Sequence, residues 1–197
     1  GGERTVQFNG AHHVVLENFE ITGGTQVCVR TMADGVVLRR VHVHDCARHG
    51  VLGADLGSGS LTVDRVEVAR VGANRSGENS KHAIYVATDR DRFPGSVLRV
   101  EHSYLHDFKG SGVKSRSERT EIRYSWIETL DHPEALYSVE LYGYEAYPTD
   151  VALESEVFGN VLVHRGRYGL RLGGDGTGSS RGRVRLANNT LVLGDAF

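Results

Sequence analysis

Along this chain apolar residues stand two apart, pause for two residues, then stand two apart again, and the phrase returns seven times. Its copies occupy 16–21, 38–43, 63–68, 100–105, 122–127, 157–162 and 186–191, as in LENFEI, LRRVHV and LANNTL. Alternation with period two buries one face of a strand and leaves the other outside. The second residue of the pause is Asn18, Gly159 or Asn188 in three of the seven copies. Both residue types tolerate left-handed backbone, so the pause predicts a tight corner between two short strands. The last residues of successive copies lie 22, 25, 37, 22, 35 and 29 apart. A minimum near 22 with variable additions describes a coil that accepts insertions at some corners only.

A third strand follows three copies after eight residues: Val51 after Val43, Val113 after Leu105, Leu170 after Leu162. Val27, Ile84 and Val139 follow theirs after 6, 16 and 12. Each coil then holds three short strands and three corners, and stacked coils make parallel sheets with strands about 4.8 Å apart. One column runs Phe19, Val41, Val66 and then Ser103, Ser125, Asn160, Asn189. Its second half reads as a polar ladder that satisfies its own hydrogen bonds from coil to coil.

Composition agrees with this fold and narrows function. Gly and Val number 25 each among 197 residues, the first suited to corners and loops, the second to strands. There are 23 basic and 25 acidic residues, a net charge of -2. A nucleic-acid binder usually carries a basic excess, so no nucleic-acid partner is expected. No apolar run approaches 18 residues, so no membrane span is expected either. Cys28 and Cys46 make no metal motif and no disulfide framework, and read as two small buried thiols.

The seven L-x-N-V-x-V-type copies, together with HAIYV at 82–86, resemble the right-handed parallel β-helix proteins of the pectate-lyase-like superfamily. The resemblance covers essentially the whole chain. It implies an all-β, right-handed parallel β-helix of about seven coils, in one domain over residues 1–197. The pattern starts and stops without an evident cap, which leaves room for a longer solenoid. The resemblance further implies an extracellular or cell-surface, carbohydrate-active protein, with substrate in a groove along the sheet that contains GVKSR at 112–116.

Loop lengths point to the same strand. From the first inward residue of each third strand to that of the next strand the gaps are 9, 10, 14, 7, 16 and 14. The shortest, Val113 to Thr120, lies between two long ones. Its strand should floor a notch walled by residues 87–96 and 142–152, with Phe93-Pro94 closing one side. Concave positions on a rigid scaffold are where sites usually sit. Alternation turns Lys114 and Arg116 outward there. The matching outward positions are His82 and Tyr85 one coil earlier, then Tyr137, Glu140 and Tyr142, then Tyr168 and Arg171. His49 continues the His82 row, and Tyr144 belongs to the second wall.

Cations beside aromatic rings suit an acidic sugar: rings pack on pyranose faces, while Arg forks a carboxylate. A uronate polymer is cleaved by β-elimination when a base takes the proton beside the carboxylate and cations stabilise the enolate-like intermediate. Lys114 is the candidate base, Tyr85 and His82 the alternative acid or base, and Arg116 the stabilising cation. Glu140, Tyr142, Arg171, Tyr144, Tyr137 and His49 are the candidate substrate contacts. The same residues also read as surface structure: Lys114 and Glu140 as a cross-strand ion pair, Arg116 as a cation on Tyr142, His82 as a bond to a neighbouring corner. His44-Asp45 and His106-Asp107 read as turn residues.

Other chemistries fit less well. Glycosidases need paired carboxylates, and Glu140 is the one acid at these outward positions. Glu140, Glu145 and Asp150 form no evident ligand cluster, so no cofactor is certain, though Ca2+-assisted elimination stays open. Gly173–Gly178 lacks the Lys of a phosphate cradle and reads as a loop. The expectation is a polysaccharide lyase acting on a uronic-acid polymer. The alternatives are a non-catalytic glycan-binding or structural module, surface or tailspike-like, and a uronan C5-epimerase.

Overall fold

In the computed structural model, which describes residues 2–53, 56–72, 81–129, 135–141, 153–165, 168–173 and 182–194, every pause is a left-handed corner. Asn18, Arg40, Arg65, His102, Tyr124, Gly159 and Asn188 all have φ between 49° and 69°. Only three of these seven residues, Asn18, Gly159 and Asn188, are of the types singled out for that conformation. The others hold it because their backbone N–H groups extend the sheet, as in Arg65 to the Glu101 carbonyl at 3.1 Å and Tyr124 to Phe158 at 3.1 Å. A hydrogen bond at the corner offsets a local cost of about 1–2 kcal/mol.

The corners separate three strands per coil. The first coil holds β1 (Arg4–Asn9), β2 (Val15–Glu17) and β3 (Glu20–Thr22), the second β4 (Val27–Met32), β5 (Val36–Arg39) and β6 (His42–Cys46). The third has β7 (His49–Gly53), β8 (Leu61–Asp64) and β9 (Glu67–Val71). The fourth has β10 (Ile84–Val86), β11 (Val97–Glu101) and β12 (Tyr104–Leu105). The fifth has β13 (Ser111–Ser115), β14 (Arg119–Arg123) and β15 (Trp126–Glu128), the sixth β16 (Tyr137–Leu141), β17 (Leu153–Phe158) and β18 (Val161–His164). The seventh has β19 (Leu170–Leu172), β20 (Gly182–Ala187) and β21 (Thr190–Leu193).

Every third strand stacks on the one before, in parallel. Sheet A is β1-β4-β7-β10-β13-β16-β19, sheet B runs from β2 to β20, and sheet C from β3 to β21. This is the right-handed parallel β-helix of seven coils expected from the chain, all-β, with no helix among the described residues. Inward columns such as Val51, Ile84, Val113 and Val139 or Val43, Val68, Leu105 and Ile127 are buried. Each such side chain contributes about 1.5–3 kcal/mol.

The polar ladder is present. Ser125 Oγ accepts the Ser103 N–H at 3.2 Å, and Asn160 Oδ1 accepts the Ser125 N–H at 2.9 Å. Asn189 Oδ1 then accepts the Asn160 N–H at 3.0 Å. Sheet A also needs a column of small residues, Cys28, Gly50, Ala83, Gly112, Ser138 and Gly169. A methyl on Gly112 would lie 2.6 Å from Ile127 Cγ2 and 2.7 Å from the Ser138 carbonyl oxygen.

Three readings change. Strand β1 was not expected, because RTVQFN carries only two large apolar residues. Val29, not Val27, occupies the Val51 column, and Val27 pairs with His49. The first gap is therefore 7 (36 minus 29), which the fifth coil merely shares, and the eight-residue offset holds for Ile21 to Val29 as well. Finally, Cys28 and Cys46 are not free thiols but a disulfide. They lie 18 apart in sequence, so no short spacing signals the pair; the curvature of one coil brings β4 and the end of β6 together.

Candidate functional site

The register of sheet A places Tyr85, Lys114, Glu140 and Arg171 in one outward row over four consecutive coils. The row continues backward as Leu52 and Arg30. Alternation along each strand accounts for it, since the flanking residues Ile84, Val86, Val113, Ser115, Val139 and Leu141 are all buried.

Outward does not mean exposed here. The Glu140 side chain is only 2% exposed, because it is the meeting point of its neighbours. Lys114 Nζ lies 3.7 Å and Arg171 Nη1 3.6 Å from its Oε1. The Ser111 hydroxyl donates to Oε2 at 2.5 Å. Arg171 also donates to the Tyr137 hydroxyl at 3.3 Å, with its guanidinium 5.5 Å from that ring centroid. Tyr137 stacks on Tyr168 at 6.0 Å. Lys114 Nζ and the Arg116 guanidinium lie 5.4 and 5.9 Å from the Tyr85 centroid. Two cations thus share one carboxylate, a third lies beside them, and Tyr85 and Tyr137 supply the rings.

The two histidines do something else. His82 is 2% exposed, and its Nδ1 accepts the Ser111 N–H at 2.9 Å. His49 Nδ1 accepts the His82 N–H at 3.2 Å, and the two rings stack at 5.5 Å. Backbone donors fix both Nδ1 atoms as acceptors, so both imidazoles are neutral. Burial pushes His82 well below 6.5, aided by the Lys114 and Arg116 charges. His49 falls to about 4, through burial first and then Arg48, Arg30 and Lys114. The expected acid–base role of His82 is therefore replaced by a structural one: it ties one coil to the next, out of reach of a substrate.

The walls of the notch also differ from expectation. Tyr142, Tyr144 and the rest of 142–152 lie outside the described residues. The 87–96 loop is described, and Phe93 packs on His12 at 5.5 Å, far back on the first coil. Asp89 Oδ2 accepts the Gly57 N–H at 2.7 Å. Only the base of the loop reaches the fifth coil, where Arg90 pairs with Glu118 at 3.1 Å. Phe93 does not close the side of the notch.

Two other faces carry charge that the sequence reading left aside. Sheet B carries arginines and carboxylates in register, one row running Arg119, Glu154, Arg183 and another Arg99, Glu121, Glu156, Arg185. Glu121 meets Arg99 at 2.8 Å, Arg119 at 2.8 Å and Arg123 at 3.3 Å, and Glu156 meets Arg123 at 2.6 Å and Arg185 at 3.1 Å, so this face is an ion-pair network. On sheet C, Asp45 and Asp107 are left-handed turn residues as expected, with φ 52° and 50°. Their histidines do more: His44 bridges Glu20 at 2.9 Å and Asp45 at 2.5 Å, and His106 bridges Glu67 at 3.0 Å and Asp107 at 2.8 Å. The signal for these was present as H-x-H at 42–44, two outward positions of one strand.

Comparison with family models, curated proteins and solved structures returned no match. What is shown is the parallel β-helix itself; no comparison identifies the pectate-lyase-like superfamily.

Proposed function

We propose that this chain is a glycan-binding β-helix whose sheet A holds a stretch of acidic, uronate-type polysaccharide. The observation that carries the reading is the in-register row Tyr85, Lys114, Glu140 and Arg171, with Arg116 beside it. Glu140 holds Lys114 and Arg171 side by side, so cationic groups cluster on this face of a molecule whose net charge is -2. Arg guanidinium groups fork carboxylates, and the tyrosine rings offer sugar-packing faces. A repeat every coil suits a repeating polymer better than a small ligand. The Cys28–Cys46 disulfide supports an extracellular or cell-surface setting, since such bonds persist in oxidising compartments.

Binding stands ahead of cleavage because Lys114 faces a carboxylate at 3.7 Å, whereas a proton-abstracting amine must be neutral. β-Elimination is the second reading, and one observation favours it. Lys114 and Arg116 lie against Tyr85, so with Tyr85 as the base both cations would stabilise an enolate-like intermediate, and with Lys114 as the base Arg116 would do so.

The test is isothermal titration with pectate, alginate, a glycosaminoglycan and a neutral glucan. Binding of an acidic polymer alone is expected, weakened by about tenfold in Arg116→Ala or Arg171→Ala and weakened further by salt. Failure of every acidic polymer to bind would overturn the reading. Growth of ultraviolet absorbance from unsaturated sugar ends would promote the elimination reading.

A further inference from the structure

We propose that Glu20, His42 and His44, on the outer face of sheet C, form a binding site for a first-row divalent metal ion of the zinc class. The site lies on a different sheet from the glycan face and does not depend on it. His42 and His44 alternate to the same side of β6, their ring centroids 4.2 Å apart. Glu20 is the register partner of His42 on the preceding coil. One ligand atom from each residue falls within 4.8 Å of the other two. That is a small adjustment from the spacing of ligands held about 2.0–2.2 Å from one ion.

The surroundings are those of a metal-binding imidazole. Asp45 Oδ2 lies 2.5 Å from His44 Nδ1 and Glu20 Oε1 lies 2.9 Å from Nε2, and since each carboxylate can only accept, both ring nitrogens are placed to donate. An ion bound between Nε2 and Glu20 takes the place of the Nε2 proton, while Asp45 goes on accepting from Nδ1. Arg70 grips Asp45 at 2.8 and 2.9 Å and approaches His44 Nδ1 at 3.0 Å, on the side away from Glu20. A carboxylate that fixes one ring nitrogen while the other faces the ion is the usual outer support of a ligating histidine. His42 Nε2 is itself buried and makes no hydrogen bond. Glu67 Oε1, 3.8 Å from it and one coil further on, is engaged by His106 Nε2 at 3.0 Å, so the site is built from Glu20, His42 and His44.

The donor set decides the class of ion. Two imidazoles with carboxylate oxygens suit Zn2+, Ni2+ or Cu2+, whereas Ca2+ and Mg2+ prefer oxygen alone. A similar trio, Asp64, Glu101 and His102, lacks this promise because Arg39 and Arg65 already occupy Asp64 at 3.2 and 2.7 Å.

The experiment is competition of the full chain against a chromophoric chelator for Zn2+, with Co2+ absorption as a readout of ligand geometry. One ion per chain, indifferent to excess Ca2+ or Mg2+, is expected. Removing a ligand in His42→Ala or His44→Ala should weaken it at least tenfold, and Asp45→Asn, which acts through His44, by about 10–100-fold. Circular dichroism checks that each variant is folded. Glu20→Gln, at a largely exposed position, keeps the test decisive if a histidine variant does not fold. Absence of stoichiometric Zn2+ binding would overturn the proposal, and so would binding that these substitutions leave unchanged.

Discussion

Asn160 closes several hydrogen bonds at one buried point, where its amide nitrogen reaches the Ile122 carbonyl and Asn189 Oδ1, each at 2.9 Å. Its Oδ1 meanwhile receives the Ser125 N–H. Asn160→Ala would leave the buried Ile122 carbonyl and Ser125 N–H without these partners, while Asn189 Oδ1 keeps the Asn160 N–H. A loss of about 3 kcal/mol is expected, from unpaired groups at about 1–3 kcal/mol each. Urea denaturation with an unchanged slope measures it, and a loss near zero would show that the ladder bonds are replaceable. Glu140 presents the same chemistry outside the core. Its alternation phase was legible in the sequence, but its near-complete burial was not, because that depends on Lys114 and Ser111 of β13 and Arg171 of β19 converging from the two neighbouring strands.

At the scale of the element, a strand in this solenoid is held by its neighbours one coil away rather than by its own sequence. β1 shows this: it forms because β4 offers a parallel edge, with Val6 paired to Val29 and Phe8 to Thr31. The Cys28–Cys46 bond adds a link within the second coil, between β4 and the end of β6. A closed loop of this size stabilises by about 3 kcal/mol in the chain-entropy view. Reduction should therefore lower the unfolding free energy by about that amount while the circular dichroism of the sheets is retained. Equal stability with and without reductant would contradict the structural role given to the disulfide.

Across the whole molecule, three histidines set a common response to acid. His49 and His164 are pushed down to about 4 and His82 well below 6.5, in each case by burial first. His164 faces the Ser138 hydroxyl at 3.1 Å from within the sixth coil. Unfolded, each histidine titrates near 6.5, so between pH 6.5 and about 4 the unfolded chain binds more protons than the folded one. Stability is complete above pH 6.5 and falls as the pH drops through that window. Each group adds a slope of up to about 1.4 kcal/mol per pH unit. Denaturation midpoints followed from neutral pH to about 4 should show the decline. His82→Asn, which retains an acceptor for the Ser111 N–H, should flatten it, and an unchanged profile would remove His82 from the account.

The sequence by itself determined the coil. Period-two alternation, the two-residue pause and the recurrence near 22 were enough to predict three strands, three corners and parallel stacking, because each is a local property repeated seven times. It also placed Tyr85, Lys114, Glu140 and Arg171 in one row, since register follows once the coils are aligned. Only the tertiary structure decided what those neighbours do to one another. It turned Cys28 and Cys46 into a bond, withdrew His82 from solvent, sent Phe93 back to the first coil, and assembled Glu20, His42 and His44 on sheet C. Each of those outcomes depends on distances between side chains from different coils or corners, and insertions of unequal length make such distances unreadable from spacing along the chain.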